Sequence, residues 1–325
     1  FFFGSSGVCP VRDRLLLMGT SSEDRTSGEP FCLRWVVDTA QWMPSKPEFD
    51  FLLDLLGADE APQVRRFKFE ADQKRALVSR LLQRAAISRV LGIPWADIII
   101  KRTKGQKPFL ATPHSVPWAP NFNYNVSHEG SYVALATENL CIAGMDVAAP
   151  SEIRVKGKIQ TGPESIETWF DSFHGVMTDV EWKRIRGQVS EDLKLGTFRR
   201  HWSLKEAFVK ARGDGLAFEP LHRAEFHFGE DTWAPEATVK LDGVALPGWK
   251  FFLEEMNDHW LTVARAPPQS VIDQNGDFLK TLKERNPTQG ELEKALSAPN
   301  PKFSIMEVRD LVPSYKVDEY DACML

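Results

Sequence analysis

Trp202-Ser203-Leu204-Lys205-Glu206-Ala207-Phe208-Val209-Lys210-Ala211-Arg212-Gly213-Asp214-Gly215-Leu216 is the stretch on which the reading of this chain turns. Leu204, Ala207, Phe208 and Ala211 recur at helical spacing and form the buried stripe of an amphipathic helix. That helix is expected over about 198–212, and Gly213 and Gly215 stop it. With the stripe turned inward, Glu206 and Lys210 fall together on the opposite side. The local pattern has two plain explanations. Glu206 and Lys210 make a surface pair at i, i+4 spacing, or Ser203 and Glu206 make a capping box that starts a helix. An acid and a base held for chemistry is the third.

Working outward, Thr178-Asp179-Val180-Glu181 fits a capping box, with Trp182 and Ile185 following on one face. Strand-like runs lie near 224–228, 237–242, 249–255 and 259–265. In the first half Arg34–Val37 reads as a strand, and a long amphipathic helix is expected from Glu70 to Leu91. Leu77, Val78, Leu81, Leu82 and Ala85 line it, and Gly92 and Pro94 end it. A short strand at Asp97–Lys101 leads into a basic turn. Tyr132–Thr137 and Leu140–Val147, joined through Glu138-Asn139, read as a β-hairpin. The fold class is therefore α+β, each half carrying a long helix and a few mostly antiparallel strands. The divisions are a flexible leader 1–33, an N-terminal half 34–148, a C-terminal half 149–268 and an extension 269–325. The extension is expected to be weakly structured, with one helix at 289–297. Met18 is a candidate start, and Met18–Glu23 looks like a myristoylation signal except that Glu23 stands where Ser or Thr is required.

Of 325 residues, 42% are hydrophobic and 26% charged, enough to build a core. The net charge of −5 disfavours nucleic acid and anionic membrane as partners, so any anion site must be a local basic cluster. Four scattered cysteines, without a CxxC pair, point to a reducing compartment and away from a thiolate zinc site. No apolar run approaches the ~20 residues of a membrane span. The cytoplasm is the expected location, with an organelle the alternative if the N-terminus is misassigned.

Three further clusters could carry chemistry. Lys101-Arg102-Thr103-Lys104-Gly105-Gln106-Lys107-Pro108 packs four cations around a glycine, which suits a phosphate-rich ligand or, more plainly, a solvated basic turn. Asn123–Gly130 crowds Asn125, Val126, Ser127 and His128 at a strand end, where they either meet a ligand or bond their own backbone. Asp146 closes the apolar strand Cys141–Asp146, a costly place for an acid unless it is solvated, paired or holding a metal.

Taken jointly, Lys104–Pro108 (KGQKP), Asn125–His128 (NVSH), Gly144–Val147 (GMDV) and Trp202–Leu216 (WSLKEAFVKARGDGL) come in the order found in the 4′-phosphopantetheinyl transferases. The chain resembles the large surfactin-synthetase type, and within it the eukaryotic enzymes named for aminoadipate-semialdehyde dehydrogenase. Phe67-Lys68-Phe69 and Pro120–His128 strengthen the match, which covers roughly 34–266. The resemblance implies two halves related by a pseudo-twofold axis, each a small antiparallel sheet on a long helix, with coenzyme A in the cleft between them. It implies that Asp146 and Glu206 bind Mg²⁺, that Arg102–Lys107 and Asn125–His128 hold the nucleotide and its 3′-phosphate, and that Lys210 neutralises pyrophosphate charge. Glu206 would accept the proton of a carrier-protein serine. Asp146, Glu206, Lys210 and His128 are thus the expected catalytic group.

Two positions depart from the family. The third acid common in bacterial relatives is Ala148 here. The basic residue usual before the long helix aligns near Gln63, so Arg65 or Arg66 would supply that charge from a shifted register, Arg66 being the one assigned to the ligand. Expected partners are apo acyl carrier proteins or carrier domains of the fatty-acid or aminoadipate-reductase type, and the expected state is a monomer. The rival readings are a carrier-binding homologue without activity and a metal-dependent nuclease. The nuclease is disfavoured by the four-residue spacing of Glu206 and Lys210, and a zinc hydrolase by the lack of a His-x-x-x-His pair.

Overall fold

The computed structural model describes residues 31–150, 154–155, 158–159 and 163–324. Residues 1–30 of the leader, with the candidate start Met18, lie outside the described residues, as does most of the polar joint after Pro150. In chain order the first part holds β1 (Arg34–Asp38), α1 (Lys46–Asp54), α2 (Ala61–Arg65), α3 (Glu70–Leu91), β2 (Ile100–Arg102), β3 (Pro108–Leu110), β4 (Asn123–Glu129), β5 (Tyr132–Glu138) and β6 (Ile142–Ala148). Next come β7 (Arg154–Val155), β8 (Lys158–Ile159), α4 (Pro163–Asp171), α5 (Asp179–Arg186) and α6 (Glu191–Arg212). Then follow β9 (Ala224–His227), β10 (Glu236–Leu241), β11 (Val244–Ala245), β12 (Lys250–Met256) and β13 (His259–Ala266). The extension adds α7 (Gln289–Ser297), β14 (Ser304–Ile305) and α8 (Val317–Ala322).

Two larger sheets organise the molecule, with strand orders β14-β1-β5-β4 and β11-β10-β12-β13-β6, β9 pairing β10. All their pairings are antiparallel except β14 on β1. The fold is α+β. Each 22-residue helix covers one sheet: α3 buries Leu77, Val78, Leu81 and Leu82 over the first, and α6 buries Leu204, Ala207 and Phe208 over the second. Both end on a glycine in the left-handed region, Gly92 at φ 68° and Gly213 at φ 88°, where a side chain would be strained.

Three sequence expectations change. First, α6 begins at Glu191, capped by Ser190 on the Leu193 amide, two turns before the apolar repeat becomes visible. Ser203 therefore lies mid-helix, where its hydroxyl bonds Thr262 Oγ1 at 2.8 Å, and the Ser203–Glu206 capping box does not exist. Second, β5 and β6 are not a hairpin. β5 pairs with β1 and β4, whereas β6 pairs with β13 along all seven of its residues, so the chain crosses from one sheet to the other at 139–141. The strand carrying Asp146 runs on to Ala148 and belongs to the second sheet. Third, the extension is built into the fold. Phe278, Leu282, Leu296, Leu311 and Tyr320 are buried, and the Tyr320 hydroxyl bonds Glu48 at 2.6 Å. Buried Arg265 donates to the Ala298 carbonyl at 2.7 Å, while Arg34 donates to Asn300 Oδ1 at 2.9 Å.

The two sheets meet along β4 and β6 without a backbone ladder. The outward amides of β6 are taken instead by alternate β4 side chains. Asn123 Oδ1 accepts Ala143 N at 2.8 Å, Asn125 Oδ1 accepts Met145 N at 2.9 Å, Ser127 Oγ accepts Val147 N at 3.2 Å, and Glu129 Oε2 accepts Ala149 N at 2.7 Å. Buried amides must be paired, and side chains two apart on a strand point the same way, so four short polar groups satisfy four edge amides.

Candidate active site

The site is set by a close approach of α6 to β6. A Cβ on Gly144 would lie 2.0 Å from the Ala207 carbonyl oxygen and 2.8 Å from Ala211 Cβ, so only glycine lets the helix lie this near. Asp146, two residues on, shares the face of Gly144, and Glu206 and Lys210 flank Ala207 and Ala211. Lys210 Nζ consequently reaches Asp146 Oδ1 at 2.6 Å and Ser127 Oγ at 2.9 Å, and the Ser127 hydroxyl donates to the same Asp146 oxygen at 3.2 Å.

Asp146 is 4% exposed, and its Oδ2 has no hydrogen-bond partner. Glu206 is half-buried with no hydrogen-bond or ion-pair partner among the described residues. Burial first, then the charges of Asp146 and Glu129, push its pKa up against the pull of Lys210. Glu129 is likewise raised, by burial and Asp146 against the Ala149 amide and Lys210. Three carboxylates thus share a region in which Lys210 is the paired cation. The described residues hold no group of three acidic, histidine or cysteine side chains ready to ligate a metal. Two carboxylates suffice for Mg²⁺, which keeps most of its waters, and the unpartnered Asp146 Oδ2 beside an under-compensated Glu206 fits that donor set.

The basic loop divides into buried and exposed members. A Cβ on Gly105 would lie 2.0 Å from the Gly213 carbonyl oxygen, so this glycine serves the docking of the loop on the turn ending α6. Lys107 is 4% exposed. Its ammonium donates to the carbonyls of Ala143 at 2.6 Å and Lys210 at 3.0 Å, and burial pulls its pKa down to about 7. Thr103 is buried as well, its Oγ1 accepting the Lys107 amide at 3.1 Å, while Gln106 turns the loop at φ 68°. Arg102 and Lys104 are exposed, Arg102 donating to the Gln106 carbonyl.

Arg66 follows α2, and its charge acts together with that of Arg102 on Arg80. After burial, these two guanidiniums lower the Arg80 pKa, with Glu60 opposing. Arg80 also donates to Gln63 Oε1 at 3.2 Å. The structure thus brings Arg66 and Arg102 to one region and adds Arg80. Sequence reasoning missed Arg80 because it lies inside a helix read only for its apolar stripe. His128 stands exposed at the end of β4, where partial desolvation by the groups packed around it and then the Arg75 and Lys210 charges lower its pKa against Asp72. Asn125 and Ser127 are seam residues, and Val126 packs on the core beneath α3.

A family model described as the N-terminal part of 4′-phosphopantetheinyl transferase matches residues 40–140, and one described as the 4′-phosphopantetheinyl transferase superfamily matches 144–264. The chain belongs to the 4′-phosphopantetheinyl transferases. Among curated relatives, the L-aminoadipate-semialdehyde dehydrogenase-phosphopantetheinyl transferases of Homo sapiens and Pongo abelii are each 32% identical over 297 residues, 87% of this chain and 88% of theirs. A phosphopantetheinyl transferase of a Thraustochytrium species is 34% identical over 235 residues, 71% of this chain and 77% of its own. In this 4′-phosphopantetheinyl transferase the two matched regions meet at 140–144, where the chain crosses between sheets, and Asp146 and Glu206 both fall in the second. No helix of the described residues is long and apolar enough to cross a membrane.

Proposed function

We propose that this chain moves the 4′-phosphopantetheine arm of coenzyme A onto a serine of an apo acyl or peptidyl carrier protein, releasing 3′,5′-ADP, with Mg²⁺ as cofactor. The observation that carries this reading is the junction of β6 and α6. In a member of this family, it brings Asp146 with a free buried oxygen, Glu206 with a raised pKa, and Lys210 together. Bound Mg²⁺ would supply the charge that steadies the pyrophosphate as its bond breaks.

Asp146 and Glu206 would hold that ion. Lys210, released from Asp146 Oδ1, neutralises charge growing on the leaving phosphate. Glu206 accepts the serine proton, directly or through a water, as the serine Oγ–phosphorus bond forms and the pyrophosphate P–O bond breaks. Alignment and charge stabilisation do the work, so no protein nucleophile is required. Arg66, Arg102 and Lys104, with His128 donating a ring N–H, are the groups assigned to the 3′-phosphate and nucleotide. Arg80 joins them by its charge. Thr103, Gly105 and Lys107 shape the loop that presents these cations, and Asn125 and Ser127 hold the wall behind the site.

The relatives' names make aminoadipate-semialdehyde dehydrogenase carrier domains, besides acyl carrier proteins, the first candidates to try. We assign the protein to the cytoplasm as a monomer, for which a sizing column run at micromolar concentration should give a mass near 37 kDa. The deciding experiment incubates protein, coenzyme A, Mg²⁺ and an apo carrier, and reads the carrier's intact mass. One added phosphopantetheine, lost with Glu206→Gln and with EDTA, is the expected result. No addition to several carriers despite coenzyme A binding would leave a non-catalytic carrier-binding protein.

A further inference from the structure

Lys205 lies between Leu204 and Glu206 in the most distinctive run of the chain, yet it does not face the site. Successive helical residues diverge by about 100°, so when Glu206 turns to Asp146, Lys205 turns into the second half. It is 1% exposed, and its ammonium is 2.8 Å from Glu181 Oε2 and 2.5 Å from the Ala224 carbonyl oxygen, where β9 begins. Glu181 is 1% exposed and equally committed. Its Oε1 accepts the Phe226 amide and its Oε2 the Thr178 amide, both at 2.8 Å. His201, one turn before Lys205, places Nδ1 3.5 Å from Glu181 Oε1.

One buried ion pair therefore ties together the start of α5, the middle of α6 and the entry to β9. On its other side α6 is held by Gly144 against Ala207, and by Ser203 on Thr262, the register partner of Asp146. These contacts limit how the helix can turn or slide over β6. A buried pair of charges is a poor source of net stability but a stringent geometric constraint, because either charge left alone is costly.

We propose that Lys205 and Glu181 are positioning residues, fixing the rotation and axial register of α6 so that Glu206 and Lys210 oppose Asp146. This rests on the transferase reading for its kinetic consequence but not for its metal-binding one. Misplacing a reacting group by about 1 Å costs on the order of a hundredfold in rate, and ligands brought from two elements lose affinity when one element shifts.

The test compares wild type with Lys205→Met, Lys205→Arg and Glu181→Gln. Each variant is checked for folding by circular dichroism, titrated with Mn²⁺ by electron paramagnetic resonance with and without coenzyme A, and assayed for kcat and KM. Lys205→Met and Glu181→Gln are expected to weaken Mn²⁺ roughly tenfold and to lower kcat by roughly tenfold or more, with the coenzyme A KM within about twofold. Lys205→Arg should recover most of both. Folded Lys205→Met and Glu181→Gln with wild-type Mn²⁺ affinity and kcat would overturn the proposal. If Lys205→Met does not fold, Glu181→Gln, which keeps the shape and the acceptor for Phe226, decides alone. If that too fails to fold, the pair holds the whole half together rather than a register, and the proposal falls. Should wild type transfer nothing while the Mn²⁺ shifts appear, the transferase reading fails and the positioning role stands.

Discussion

Asn125 Oδ1 accepts the Met145 amide at 2.9 Å, joining two sheets that share no backbone hydrogen bond along this line. Met145 and Asp146 are neighbours, so the bond also fixes the strand that carries the site's acid. Asn125→Ala leaves a buried amide without a partner, at a cost of about 1–3 kcal/mol. A lower urea midpoint with little change in coenzyme A KM is expected. A raised KM at unchanged stability would mean that Asn125 serves the ligand instead.

Gly144→Ala forces a methyl group to within 2.0 Å of the Ala207 carbonyl oxygen, a backbone atom that cannot rotate away. The helix must lift from β6, separating Glu206 and Lys210 from Asp146. Overpacking of this kind costs about 1–3 kcal/mol. Thermal unfolding and a transfer assay on the same sample should show activity falling much further than stability.

Arg102 and Lys107 belong to one basic loop but should respond oppositely. Arg102→Ala removes an exposed guanidinium, and losing a charge-assisted bond to phosphate, worth about 1.5–3 kcal/mol, raises the coenzyme A KM about tenfold or more in low salt. Lys107→Met strips the donor from the Ala143 and Lys210 carbonyls and should lower the denaturation midpoint while leaving KM nearly unchanged. Steady-state kinetics beside denaturation curves separate the two.

Acid should weaken the fold through Glu181. Burial raises its pKa, but His201 and the Lys205 ammonium more than reverse this and bring it to about 2 from an ordinary 4.5. A depressed carboxylate contributes stability that is present above pH 4.5 and lost as pH falls toward 2, here about 3 kcal/mol. Denaturant midpoints measured from pH 5 to 2 should fall steeply for wild type and less steeply for Glu181→Gln.

Much of the scaffold was legible from periodicity. α3 runs from Glu70 to Leu91 as its apolar repeat and Gly92 stop require, and Thr178 and Glu181 form the capping box their spacing predicts. Local pattern also set Glu206 and Lys210 on one side of a helix, though only the resemblance joined them to Asp146. The start of α6 was missed because residues 191–197 carry little apolar signal. The β5–β6 hairpin was misread because an apolar run marks a buried strand without naming its partner. Glu129 and Arg80 carried no signal of their own, since their effect on the site is electrostatic and acts through space.

The sequence by itself determined the long helix α3, much of α6, several strands and the placing of Glu206 with Lys210 on one helix side, because these follow from short-range spacing. The acid, base and metal-binding candidates came from the resemblance of its joined motifs to a family. Tertiary structure alone decided which polar groups are bound up inside the fold and which are left without a partner beside Asp146. It turned Lys107 inward onto two carbonyls, Lys205 onto Glu181, and Asn125 into the seam, while leaving Asp146 Oδ2 unpartnered. A lysine or asparagine reads the same in sequence whether it meets a ligand or a backbone carbonyl. Burying a polar group demands a partner, and only the packed chain shows where that partner lies.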